Sequence, residues 1–257
     1  MSGGLKVTAA DLRIGDVCVC ENLTWEVLPG ERWAILGRNG VGKSTLLHAL
    51  AGLRPLNAGS VALQGRELAN WPRRLLAQRL GVLFQQSESA FPATVLETAL
   101  AGRHPHLGLW AWEGQEDYAL ARRALEAVGL AAMESRDART LSGGERRRLE
   151  IAAVLTQNPP WLLLDEPANH LDLRYQIRIL EQLSGCVDES RSGGLAMVLH
   201  DVNLALRVCN RFLLLFGDGQ WRAGDAAATL SAQTLSQLYD HPMQAIATPG
   251  GPLYHPQ

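Results

Sequence analysis

A chain of 257 residues with 24 Lys and Arg against 26 Asp and Glu has no basic surplus to draw it to nucleic acid or to an anionic membrane surface. Its length suits one large α/β domain or a core carrying a smaller inserted lobe, and a hydrophobic share of 47% can fill a substantial core. Cys18, Cys20, Cys186 and Cys209 lack metal-ligand spacing, no run approaches the ~18 apolar residues of a spanning helix, and the opening MSGGLKVTAADL has no signal-peptide apolar segment, so a reducing, cytoplasmic setting is expected.

Leu5-Lys6-Val7-Thr8 and Leu23-Thr24-Trp25-Glu26-Val27 alternate and predict antiparallel strands, with Cys18 and Cys20 on one strand face. Pro29-Gly30-Glu31 turns the chain into Trp33-Ala34-Ile35-Leu36, a buried strand, and Leu46, Leu47, Leu50 and Leu53 then recur at helical spacing. Between strand and helix lies Gly37-Arg38-Asn39-Gly40-Val41-Gly42-Lys43-Ser44-Thr45, which fits G-x-x-x-x-G-K-[ST] in its required context. Gly37, Gly40 and Gly42 let successive amides converge on phosphate oxygens, the helix start adds roughly half a positive charge, Lys43 adds a full one, and the Ser44 hydroxyl suits Mg²⁺. A nucleoside triphosphate is the expected ligand. A plain glycine turn before a core helix is the weaker alternative, because both flanking elements are present.

Asn57 to Arg66 reads as turn, strand and turn, and Leu80 to Phe84 as a second buried strand that delivers Gln85 and Gln86 to the sheet edge where open α/β folds bind ligands. From about residue 87 to 160 the pattern turns helical, with Thr94 to Leu100 and Asp117 to Val128 amphipathic, the latter through Tyr118, Ala121, Leu125 and Val128. This predicts a helical lobe inserted into a core of residues 1–86 and 161–257. The lobe's last helix starts at Leu141-Ser142-Gly143-Gly144-Glu145; capping explains Ser142 and Glu145, but two glycines in a first turn, each costing up to ~1 kcal/mol against alanine, point to bare amides and a second anion site. Trp161 to Leu164 is a strand ending in Asp165 and Glu166, of which Asp165 is the expected partner of Ser44 on Mg²⁺. Leu195 to Leu199 repeats that arrangement and delivers His200. Phe212 to Phe216 with Gly217-Asp218-Gly219 predicts a closing hairpin, and a helix is expected near Ser231 to Tyr239.

Together these motifs resemble the ATP-binding subunit of an ABC transporter across essentially the whole chain. Gly37 to Thr45 matches the Walker A loop, Gln85 the Q-loop, Leu141 to Glu145 the LSGGE signature, Leu162 to Glu166 the Walker B strand with its glutamate, Ala168 to Asp172 the D-loop and His200 the switch histidine. The resemblance implies a P-loop NTPase core with a mostly parallel sheet, an N-terminal antiparallel β region and the inserted lobe. It further implies a head-to-tail homodimer around ATP and Mg²⁺, with Ser142, Gly143 and Gly144 of one copy facing the cradle (Gly37, Asn39, Gly40, Gly42, Lys43, Ser44, Thr45) of the other, and Asp172 at the seam. The roles implied are Lys43 on the β- and γ-phosphates, Ser44, Asp165 and Gln85 around the metal, Glu166 as general base and His200 at the γ-phosphate.

Ile14 stands where relatives stack an aromatic ring on adenine, and Arg147 where a glutamine is common. Thr94 to His106 is similar to importers for iron-siderophore, haem and vitamin B12, which implies permease subunits as direct partners, a periplasmic substrate-binding protein as an indirect one, and a peripheral place on the cytoplasmic face of the membrane. His104 and His106 read as a solvated loop pair. The competing readings are a soluble ABC ATPase, such as an iron-sulphur assembly component, and an exporter subunit.

Overall fold

A computed structural model describes residues 3–85, 92–108, 110–187 and 192–257. In chain order the first elements are β1 (Leu5–Ile14), β2 (Val17–Val27), β3 (Arg32–Leu36), α1 (Lys43–Leu50), β4 (Ala58–Leu63) and β5 (Arg66–Glu67). There follow α2 (Arg73–Arg79), β6 (Leu80–Leu83), α3 (Val95–Leu100), α4 (Gln115–Ala127), α5 (Gly143–Gln157), β7 (Trp161–Asp165) and α6 (Leu173–Gly185). The chain closes with β8 (Leu195–Val198), α7 (Val202–Val208), β9 (Arg211–Leu215), β10 (Trp221–Gly224), α8 (Ala226–Thr229), α9 (Ala232–Tyr239), β11 (Met243–Thr248) and β12 (Gly251–Pro256).

The chain divides into two compact units, Met1–Asn70 with Val187–Gln257, and Trp71–Cys186. In the first, β2, β1, β4 and β5 form an antiparallel sheet in that order. Leu5 and Val7 point inward from β1, and then Ala10 and Leu12 do, which is a change of phase that strict alternation forbids. A bulge supplies the extra residue, with Ala9 at φ 46°. The bulge carbonyls reach β4 where only glycine fits: a Cβ on Gly59 would lie 2.4 Å from the carbonyl oxygens of Thr8 and Ala9. Beside this sheet in sequence, β3 runs parallel to both β8 and β9, and β10 pairs antiparallel with β9. Trp33 to Leu36 is buried throughout, as an unbroken apolar run demands of a strand covered on both faces.

In the second unit β6 and β7 pair in parallel, from Leu80 opposite Trp161 to Leu83 opposite Leu164. The helices of this unit begin as the sequence prescribes. Thr94 with Glu97 and Ser142 with Glu145 both form reciprocal capping boxes. Backbone and side-chain hydrogen bonds from Ser142, with Arg136 nearby, hold the Glu145 carboxyl below the usual carboxylate range, so it caps as the anion. On α4, Ala121, Ala124 and Leu125 are buried but Tyr118 is exposed, so the apolar stripe is narrower than the pattern predicts.

The expected mixed α/β fold, with its antiparallel N-terminal sheet and parallel strands, is what forms. Helices α2, α6, α7 and α8 and the terminal hairpin β11–β12 lie beyond the elements predicted from the sequence. That hairpin is anchored by Tyr254, whose backbone exchanges hydrogen bonds with the Asn203 amide and whose hydroxyl donates to the Leu230 carbonyl at 3.0 Å. Among the described residues no helix is long and apolar enough to cross a membrane.

Candidate nucleotide site

In the first unit, β3 ends at Leu36 and the glycine loop runs straight into α1. Helices α3, α5, α6, α7 and α9 each begin with a side chain bonded to a first-turn amide, whereas α1 begins at Gly42 with no side-chain cap. A helix start without a side-chain cap is the arrangement in which backbone amides meet an anion. Gly42 sits at φ 93°, and a Cβ there would come within 2.4 Å of the Val19 side chain, so both backbone and packing require glycine. A Cβ on Gly40 would meet no protein atom within 4 Å, which leaves that side of the loop open. Lys43 is only 5% exposed, and its Nζ donates at 2.8 Å to the carbonyls of Gly37 and Arg38, so the ammonium is drawn back over its own loop. Ser44 and Thr45 are half-buried in the first turn, and Asn39 is exposed. His200 is exposed directly after β8, the parallel neighbour of β3, and Asp201 behind it caps α7 through the amides of Asn203 and Leu204.

In the second unit Gln85, Asp165 and Glu166 come together at the end of β7. Asp165 is fully buried, and Glu166 follows at φ 47°, a left-handed conformation unusual for glutamate. The Glu166 Oε2 accepts hydrogen bonds from Gln85 Nε2 at 3.2 Å and Asn169 Nδ2 at 2.7 Å. Two amides thus aim one carboxylate. Asn169 lies inside the predicted D-loop but drew no role from sequence, and its i+3 spacing from Glu166 across Pro167 was the available signal. Gln86 lies outside the described residues.

At α5, a Cβ on Gly143 would meet nothing within 4 Å, whereas one on Gly144 would lie 3.3 Å from the His170 carbonyl oxygen. The two signature glycines therefore differ: Gly143 faces open space and Gly144 admits the D-loop backbone. Asp172 caps α6 by accepting from the Tyr175 amide at 3.0 Å, and next to it Leu173 is 69% exposed. Ile14 closes the β1–β2 hairpin opposite Val17 and is half-buried.

The expected solvated pair of His104 and His106 does not hold for both residues. His104 is exposed, but His106 packs into the lobe, its Nε2 3.0 Å from the Gln157 carbonyl. Burial, reinforced by Arg103, pushes its imidazole below the ordinary histidine value. A carbonyl only accepts, so the neutral ring carries its proton on Nε2. The neighbouring backbone is equally engaged, since Arg74 donates to the carbonyls of Pro105 and Leu107 and Gln78 donates to Pro105.

A sequence profile of the ABC transporter family matches residues 20–169, which is more than half of the chain. The chain belongs to the ABC transporter family. As an ATP-binding subunit of that family it binds and hydrolyses ATP. It is 40% identical over 238 residues to the hemin import ATP-binding protein HmuV of Myxococcus xanthus, covering 89% of this chain and 88% of that protein. It is 36% identical over 247 residues to the ferric enterobactin transport ATP-binding protein FepC of Escherichia coli, covering 95% and 91%. Among solved structures, a chain from an inward-facing ABC transporter described as of metal-chelate type superposes with a TM-score of 0.82 at 27% identity, covering 100% of this chain and 98% of that one. The dimeric ATP-binding cassette MJ0796, bound to ADP and Pi, gives 0.73 at 26% identity over 86% and 98%.

Proposed function

We propose that this ABC ATPase drives a permease that imports an iron chelate, haem or cobalamin, working as a head-to-tail dimer on the cytoplasmic face of the membrane. The observation that carries the catalytic part is the Glu166 carboxylate held by Gln85 and Asn169 at the end of a buried strand. Lys43 and the amides of Gly37 to Thr45 take the phosphates; Ser142, Gly143 and Gly144 of the second copy offer a further set of amides. Glu166 takes a proton from water as its oxygen bonds to the γ-phosphorus, the bond to the β-bridging oxygen breaks, and ADP and phosphate leave; His200 steadies the γ-phosphate.

The donor set fits Mg²⁺. Ser44 and Asp165 are hard oxygen donors, with Gln85 as a third oxygen. Mg²⁺ keeps several of its waters and is held by one or two protein oxygens together with substrate phosphates, which so small a donor set would suit. When bound, Mg²⁺ would neutralise charge developing on the phosphates.

The importer reading draws on the named relatives and on the lobe surface. Trp110 is 94% and Trp112 89% exposed, a large apolar area left to solvent, and such rings belong at contacts with a partner. The test is to recover the tagged full chain from membranes, identify the permease that accompanies it, and measure ATP turnover in proteoliposomes with hemin, a ferric siderophore or cobalamin. Sedimentation with a permease and ligand-dependent turnover are expected, and Trp110→Ala with Trp112→Ala should release the subunit while the free chain keeps its basal ATPase. A wild-type chain that stays in the supernatant with soluble partners favours the assembly-factor alternative.

A further inference from the structure

Arg147 lies on α5, five residues after Ser142, and is 4% exposed. Its guanidinium reaches three separate pieces of the second unit. NH1 donates to the Phe84 carbonyl at 2.6 Å, the last peptide before Gln85, and to the Glu150 carboxylate at 2.8 Å. NH2 donates to the carbonyls of Asp165 at 2.5 Å and Glu166 at 2.9 Å. The fork thus grips the peptide carbonyls on both sides of the Glu166 α-carbon and the root of the glutamine that bonds the Glu166 carboxylate. Nothing smaller spans all three, because only a planar guanidinium presents several N–H groups in a fixed fan.

Among the described residues, the gripped backbone is one of two strained positions near the site, His170 at φ 62° being the other. Glu166 holds φ 47°, and such a conformation persists only where neighbours over-determine it. Asn169 contributes its backbone N–H to the Glu166 carbonyl at 3.2 Å, and Arg147 contributes the stronger, charged donor to the same oxygen. We infer that Arg147 is a positioning residue for hydrolysis: it fixes the backbone of Glu166 and Gln85 from the helix that carries the signature, so that helix and carboxylate move as one. The inference rests on the reading of Glu166 as the base. ATP affinity resides in the loop of the other unit, so loss of Arg147 acts on turnover rather than on nucleotide binding.

The experiment compares the full-length wild type with Arg147→Lys, Arg147→Ala and, in parallel, Glu166→Gln, measuring kcat and KM for Mg-ATP and the thermal unfolding midpoint. Arg147→Lys keeps the charge beside Glu150 and guards against a variant that merely misfolds. Expected are a fall in kcat of at least tenfold for both Arg147 variants, a KM for ATP within twofold of wild type, and partial recovery of Arg147→Ala turnover by added methylguanidinium. Wild-type kcat in folded Arg147→Lys and Arg147→Ala overturns the inference, as does a loss of kcat that methylguanidinium leaves unmoved. Normal turnover in Glu166→Gln instead overturns the underlying assignment of the base.

Discussion

Glu166→Gln is expected to lower steady-state ATP turnover by roughly 10²- to 10⁴-fold, the range that general-base catalysis supplies. The amide is nearly isosteric and can still meet the donors of Gln85 and Asn169 through its oxygen, so the local geometry survives while the capacity to accept a proton at neutral pH is lost. ATP binding is expected to stay near wild type, because the proposed phosphate cradle is Gly37 to Thr45 and not Glu166. Turnover by phosphate release and affinity by calorimetry check both halves; unchanged turnover rejects Glu166 as the base.

Lys43→Ala is expected to have the opposite signature. A charged donor to phosphate contributes about 1.5–3 kcal/mol, so ATP affinity should fall roughly 10- to 100-fold. The substitution also removes the bonds to the Gly37 and Arg38 carbonyls, so the loop loses its internal tie as well as its charge. Circular dichroism separates that local loss from unfolding. Calorimetric affinity equal to wild type would contradict the cradle.

Local chemistry was legible wherever one residue type answers one demand. The glycine loop, the capping box at Ser142, and the strand-end carboxylates of Asp165 and Glu166 could each be read from a short stretch. What could not be read depends on distant partners. Arg147 stood out in sequence only as an exchange for glutamine, and its work with Phe84, Asp165 and Glu166 bridges 63, 18 and 19 positions. His106 looked like a solvated loop residue because nothing nearby announces Gln157, 51 positions on. The β11–β12 hairpin escaped notice because its strands are mostly exposed and carry little alternation, although Pro249-Gly250 between them was a usable turn signal.

The central claim is that the cradle of one copy is completed by the signature helix of another. It is tested by following turnover per chain against protein concentration, with light scattering on the same samples, for wild type and for Ser142→Arg. Turnover per chain that falls on dilution in step with dissociation, and is abolished in Ser142→Arg while its ATP affinity persists, is the predicted result. Turnover per chain that stays constant where scattering shows only monomers would contradict it.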